Sequence, residues 1–284
     1  MLIDLHTHSH YSDGTSSPKN IIRLALRYKV GIIALCDHDT TSGLLEFLSQ
    51  AKAASIQGVP GIELSAEWKN GACHFLGLNI DYNNKSLKKA LAKIRNSREG
   101  RNELILEKLK SLGMKISSSD VSKQSGKEVI TRPHIAKALR KKGYVKTIKE
   151  SFDKYLKKGG PAYAERFCLQ PEEAIELLKK AGGKVIIAHP AQLNMDLEEF
   201  DRWIKKWKKI GLDGVEAFSP GTNTELCNNF MEIALKNNLI ITCGSDFHGD
   251  NKPGRRPGYS AKTARESIRN SDLVRRNMDR LLNL

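Results

Sequence analysis

Short apolar runs separated by stretches of helical periodicity organise the first eighty residues of the chain. Residues 2–5 form an apolar run suited to a strand. Ser17-Pro18 then opens a helix, with proline at the first helical position, and Ile21, Leu24, Ala25 and Tyr28 recur at helical spacing. Gly31 closes that helix, and residues 32–35 read as a buried strand. A second helix is expected over about 41–55, a third strand over 59–64 and a fourth over 73–78. From about residue 85 to 166 the pattern changes to helical periodicity rich in Lys, Arg, Ser and Glu, with no clear strand. Leu104, Leu106, Leu109 and Leu112 lie there in a basic helix that Gly113 closes. Alternation resumes at Pro171, which opens a helix over 171–180 ended by Gly182-Gly183. Strands are expected over 184–188, 214–217 and 239–243, the last reached through a helix over 225–236. The tail from Ala261 reads as a basic amphipathic helix. Such alternation implies a parallel sheet, open or closed. In a closed α/β barrel the active site forms where the strands end.

Composition narrows the class. The 284 residues suit one large domain, or one domain with a sizeable insertion. No segment approaches the roughly 18 apolar residues of a membrane span, so no membrane partner is expected. The first residues lack a basic stretch followed by an apolar run, so they do not read as a secretory signal, and a cytoplasmic location is the expectation. The five cysteines are widely spaced and include no CxxC pair. That argues against a disulfide framework and a thiolate zinc site. The formal net charge is +15, which attracts polyanions such as nucleic acid or a multiply phosphorylated nucleotide. Many basic proteins bind no nucleic acid, so charge carries weight only beside a site for phosphate chemistry. No obligate protein partner is evident.

Such a site is suggested at the strand ends. The first strand leads into His6-Thr7-His8, and residues two apart on extended chain point the same way. Asp13 follows in Tyr11-Ser12-Asp13-Gly14. The second strand ends in Cys36-Asp37-His38-Asp39 and the third in Gly61-Ile62-Glu63. The fourth carries His74, the fifth ends in Ala188-His189-Pro190, and the seventh in Gly244-Ser245-Asp246-Phe247-His248. One HxH is weak evidence, and a lone His74 is more often a satisfied, half-buried histidine than a ligand. Jointly, however, six of the eight histidines fall at or near expected strand ends. Buried His, Asp and Glu are costly unless paired or metal-bound. Imidazole and carboxylate without thiolate suit Mn, Fe or Zn, with Mg less favoured. Nine candidate ligands exceed what one ion accepts, so two or three ions are implied. A carboxylate such as Glu63 can bridge two of them, and a shared hydroxide is then available as nucleophile.

These motifs, in this order, resemble the PHP (polymerase and histidinol phosphatase) domain of the amidohydrolase-like enzymes. The resemblance covers most of the chain, from His6 to about residue 250. It implies an α/β fold, a distorted (β/α)7 barrel with a trinuclear site, for which manganese is the first expectation and Fe, Zn or Mg the others. The barrel would take residues 1–84 and 167–284, and residues 85–166 would form a helical insertion contributing to the substrate pocket. Carried across, it assigns His6, His8, Glu63 and Asp246 to one ion. Glu63, His74 and His189 fall to a second, and Asp13, His38 and His248 to a third. A narrower similarity lies in Thr131-Arg132-Pro133-His134, Gly159-Gly160-Pro161-Ala162-Tyr163 and Gly214-Val215-Glu216-Ala217-Phe218-Ser219-Pro220. It points to a bacterial subgroup of 3′,5′-nucleotide bisphosphate phosphatases, also described as 5′-to-3′ exoribonucleases on short RNA.

The implied activity is hydrolysis of a phosphate ester of a nucleotide or short 5′-phosphorylated RNA, with Glu63, Asp246, Arg132 and His134 as the catalytic group. Arg132 and His134 are candidates to grip the scissile phosphate, since a guanidinium matches its oxygens in bidentate fashion; an exposed pair at a helix start is the plainer reading. Asp37 and Asp39 can orient ligand imidazoles, and capping the next helix explains Asp39 equally well. His10 lines the mouth or is a surface histidine. Lys252, Arg255 and Arg256 hold a second phosphate or RNA backbone, or form a solvated basic loop. Phe218 and Tyr163 stack on a base or pack ordinarily. Two other readings stand beside this one: a small-metabolite phosphatase of histidinol-phosphate type, and a non-catalytic module binding nucleic acid or protein.

Overall fold

Seven strands form one sheet in chain order: β1 (Leu2–Thr7), β2 (Val30–Leu35), β3 (Gln57–Ala66), β4 (Cys73–Leu78), β5 (Lys184–Ile187), β6 (Gly214–Phe218) and β7 (Ile240–Cys243). The computed structural model describes residues 1–69, 71–124, 130–165, 167–261 and 264–282. Arg166, the expected end of the insertion, lies outside them. The sheet curls until Thr7 bridges Phe247 in parallel, and the His8 N–H donates to the Phe247 carbonyl at 2.8 Å. Among the described residues no ladder joins β1 to β7, so apart from this bridge the barrel is left open there, a distorted (β/α)7 arrangement.

The expected all-parallel sheet needs one correction. β4 runs antiparallel to both β3 and β5, while the other neighbours are parallel. The physical reason is the connection. Only residues 67–72 join β3 to β4, and a parallel crossover needs a dozen or more. The reversal puts the start of β4 at the same edge of the barrel as the ends of the parallel strands.

Eleven helices are described: α1 (Pro18–Arg27), α2 (Leu44–Ala53), α3 (Lys85–Ser111), α4 (Ser118–Ser122), α5 (Arg132–Lys141), α6 (Ile148–Ser151), α7 (Pro171–Lys180), α8 (Leu197–Ile210), α9 (Thr224–Lys236), α10 (Ala264–Arg275) and α11 (Met278–Leu282). Their ends follow the expected chemistry. The Ser17 hydroxyl accepts from the Asn20 N–H at 3.1 Å ahead of Pro18. Gly113 takes a positive φ of 82° just past α3. Helix α8 has no counterpart in the sequence reading, although Phe200, Trp203, Ile204 and Trp207 recur at helical spacing and three of them are buried. Among the described residues no helix is long and apolar enough to cross a membrane.

The core has two parts. The main one fills the barrel and the layer beneath its helices, and takes Leu87, Leu91 and Ile94 from the first half of α3. The second gathers Ile105 and Leu109 from the second half with Ile135, Leu139 and Leu156. Thus α3, 27 residues and about 40 Å long, joins the two clusters.

Candidate metal centre

The side chains singled out at the strand ends meet around one carboxylate. Glu63, on β3, has no exposed surface. Its Oε2 lies 3.2 Å from His6 Nε2, 3.1 Å from His8 Nε2 and 3.2 Å from His38 Nε2. Its Oε1 lies 2.9 Å from both His74 Nδ1 and His189 Nε2. Five imidazoles from four segments therefore face one side chain. His74, near the start of β4, reaches this place because that strand is reversed. Burial works against charge on Glu63, but His38, His6 and His74 hold its carboxyl well below the usual range.

A second carboxylate, Asp246, follows β7 with φ 48°, and His189 follows β5 with φ 26°. Non-glycine residues in that region concentrate where structure over-determines them, functional sites included. Asp246 Oδ1 lies 3.2 Å from His248 Nδ1, 3.5 Å from His8 Nε2 and 3.8 Å from His6 Nε2. Asp13 Oδ1 lies 3.3 Å from His248 Nε2, and its Oδ2 lies 3.9 Å from His38 Nε2. Four ligand groupings result: His8, Asp13, His38 and His248; His6, Glu63 and His189; His6, His8 and Asp246; His38, Glu63 and His74. Within each, the donor atoms lie within 4.8 Å of one another.

Divalent cations fit this donor set. His6 Nε2, both nitrogens of His8, His248 Nε2 and Glu63 Oε2 are buried without a hydrogen-bond partner. Orphaned atoms of that kind are expensive, and several converging on one point are what cation binding resolves.

Two buried carboxylates that carried no assigned role support the centre. Glu216, on β6, accepts from His6 Nδ1–H at 2.9 Å through Oε1, and its Oε2 accepts from the His189 N–H at 2.7 Å. It fixes the ring of one candidate ligand and the backbone of another. Asp4, on β1, accepts from the N–H groups of Ser245 and Gly258 and from the Ser245 hydroxyl, at 2.9, 2.7 and 2.6 Å. The available signal was a lone acid inside an apolar strand, which burial forbids without a partner.

The remaining candidates divide. Asp37 binds the Ser9 N–H and the hydroxyls of Ser9 and Ser12, each at 2.7 Å, so it shapes the loop after β1. Asp39 pairs with Arg98 of α3 and accepts from the Ser65 N–H at 3.2 Å. Its capping reading falls, because α2 begins at Leu44 behind Gly43. Lys252 and Arg255 grip Asp246 Oδ2 at 2.6 and 2.5 Å, leaving Oδ1 toward the histidines. Arg256 is not brought to the mouth. Its guanidinium lies 5.9 Å from the ring centre of Tyr28 and 6.0 Å from that of Tyr259. Tyr28 ends α1 at the base of the barrel, and those aromatic faces hold the cation there. Arg132 Nη1 donates to the Leu156 carbonyl at 3.2 Å, with the guanidinium 5.8 Å from the Tyr163 ring centre. Phe218 is buried in the main core. His10 is half-buried and stacks on Tyr11.

His134, buried at the start of α5, accepts from the Thr131 N–H at Nδ1, 3.1 Å away. The neutral ring then carries its proton on Nε2. Burial pushes its pKa down to about 4. As pH falls below about 6.5 the unfolded chain binds a proton that the folded chain refuses. Stability is untouched by this group above that pH, declines toward about 4 and levels off below. In urea unfolding between pH 7 and 4, His134→Gln is expected to lose less stability than the unsubstituted protein. Parallel declines would show that the imidazole is not held neutral.

Beside the centre opens a cleft of about 500 Å³ lined by His189, Asp246, Arg255, Gln192, Asn194 and the loop 219–222, among others. Comparison with known proteins agrees with the geometry. A family model described as PHP domain matches residues 4–215. A 3′,5′-nucleoside bisphosphate phosphatase of Chromobacterium violaceum is 33% identical over 91% of both chains. A 5′-3′ exoribonuclease, Rnm of Salmonella typhimurium, is 30% identical over 87% of this chain and 85% of its own. The solved structure of an amidohydrolase from Chromobacterium violaceum, with bound sulfate and no metal, superposes with a TM-score of 0.82 at 30% identity. It covers 95% of this chain and 97% of that one.

Proposed function

The chain belongs to the PHP domain family, and from that premise we propose that it is a metal-dependent hydrolase of phosphate esters in nucleotides. The substrates would be 3′,5′-bisphosphonucleotides, short 5′-phosphorylated RNA, or both, encountered in the cytoplasm. The observation that carries the reading is the convergence of five imidazoles on Glu63, with buried nitrogens left over for cations.

His6, His8, Asp13, His38, Glu63, His74, His189, Asp246 and His248 would hold the ions, three by preference and manganese first. Bound there, divalent ions supply Lewis acidity toward phosphoryl oxygens and lower the pKa of water. The chain's own groups do the rest. Glu216 keeps the His6 ring aimed inward, and Lys252 with Arg255 fixes Asp246. His134 presents its Nε2–H as a neutral donor to a phosphate oxygen, beside Asp13, whose charge acts on the ring. Arg132, in the same first turn of α5, adds a cation that the insertion brings to the pocket. The cleft beside Asp246 offers room for the nucleoside, with amides from Gln192 and Asn194 on its wall.

Hydrolysis of adenosine 3′,5′-bisphosphate, a 5′-phosphorylated oligoribonucleotide and histidinol phosphate, with manganese added, tests the assignment. The first two are expected to turn over at least about ten times faster by kcat/KM than the third, a difference of roughly 1.4 kcal/mol in barrier. Preference for histidinol phosphate would replace the reading with a small-metabolite phosphatase. Inactivity on all three with metals bound would favour a binding module.

A further inference from the structure

The positive surplus of the chain is not spread over it. Residues 85–166 hold 23 of the 47 Lys and Arg but only 8 of the 32 Asp and Glu. The rest of the chain carries 24 of each sign, so the whole formal charge of +15 belongs to the insertion. A catalytic site for one small nucleotide does not require that segregation, because its own cations sit at the barrel mouth. A long polyanion does benefit from it.

The structure also shows where such a polymer enters. A second cleft, of about 310 Å³, lies between α3 and the loop after β2. Thr40, Thr41 and Ser42 line one wall, and Lys88, Leu91, Ala92 and Arg95 the other. Lys88 and Arg95 are exposed and stand seven residues apart, about two helical turns, on the same side of α3. Asp39, the carboxylate that borders the cleft, is already paired with Arg98 and does not cancel them. The loop starts immediately after His38, so the cleft adjoins the candidate ligands. The nucleoside cleft described above is formed instead by segments following β5, β6 and β7 and the β3–β4 link, across the barrel from β2.

Resting on the phosphoesterase reading, we infer that the insertion is a docking surface for single-stranded RNA. The α3 cleft takes the phosphodiester backbone downstream of the nucleotide being cleaved. Lys88 and Arg95 neutralise its phosphates, and the hydroxyls of Thr40, Thr41 and Ser42 offer hydrogen bonds. A mononucleotide bisphosphate, lacking a downstream strand, does not use this cleft.

The test is the double charge reversal Lys88→Glu/Arg95→Glu, with Lys88→Ala/Arg95→Ala as the milder pair, in the full-length protein. Both sites are exposed, and melting curves check the fold. Turnover of adenosine 3′,5′-bisphosphate is expected to stay within about twofold, while KM for a 5′-phosphorylated pentaribonucleotide rises about tenfold or more. The slope of log KM for RNA against log salt should flatten by about 1.4, the value for two phosphate contacts on a single strand. Binding of the same labelled pentamer in EDTA, read by fluorescence anisotropy, should weaken in parallel. Equal RNA binding by variant and unsubstituted protein would overturn the inference, as would equal loss on both substrates. Should the unsubstituted protein hydrolyse neither substrate, the phosphoesterase reading fails, and the anisotropy result still decides the fate of the cleft.

Discussion

Replacing Glu63 with glutamine is expected to lower turnover by on the order of 10³-fold and to strip bound metal from the purified protein. Glutamine keeps the size of the side chain and removes only its charge. Five imidazole nitrogens lie within 3.2 Å of the Glu63 oxygens, so no other single substitution touches as much of the centre. The two oxygens also face different histidines, three on one side and two on the other, which is the geometry of a bridging ligand. Elemental analysis alongside kcat on the preferred substrate gives the readout. A variant that keeps its full metal complement and its rate would remove Glu63 from the centre of the account.

The second large effect is expected at a residue with no side chain. Gly244 follows β7, and a Cβ built there would lie 2.3 Å from the His6 Cβ and 2.5 Å from Glu216 Oε1. Both neighbours are fully buried, and each fixes the other, so neither can swing aside. Gly244→Ala should therefore cost roughly 1–3 kcal/mol of stability through overpacking. It should also cost about 10- to 100-fold in activity by pushing His6 out of line. Thermal unfolding and steady-state kinetics of this one variant check both. Wild-type values in each would mean that the strands spread without consequence and that the His6–Glu216 contact is not a constraint.

The site was legible in the sequence to the extent that its chemistry is local. His6-Thr7-His8 and Asp246-Phe247-His248 carry candidate ligands two residues apart, and an extended backbone turns that spacing into a shared direction. Glu63, His38 and His189 were found because each closes an apolar run. What escaped depended on partners far away in the chain. Glu216 sits inside an apolar strand as Asp4 does, and only its contact with His6 Nδ1, 210 residues distant, explains it. The direction of β4 was within reach, since six linking residues cannot make a crossover. Arg256 failed for a different reason. Its charge suggested phosphate, but nothing in the local sequence says that the loop turns back to the tyrosines at the base. The helix over Leu197–Ile210 is readable from the helical spacing of Phe200, Trp203, Ile204 and Trp207.

The reversed fourth strand has a consequence for how such a protein can diversify. Because β4 descends, the chain leaves it at the base, where the Asp81 N–H donates to the Ala181 carbonyl at 2.8 Å, and α3 must climb back to the rim. At the rim the Phe167 N–H donates to the Ser97 hydroxyl at 2.6 Å, so the outgoing and returning chains stand side by side. The described residues between those two carry the second packed cluster. Their outer part can be lengthened or trimmed while the strands that carry the candidate ligands keep their register. Selection can thereby alter the outer part of the insertion separately from the barrel.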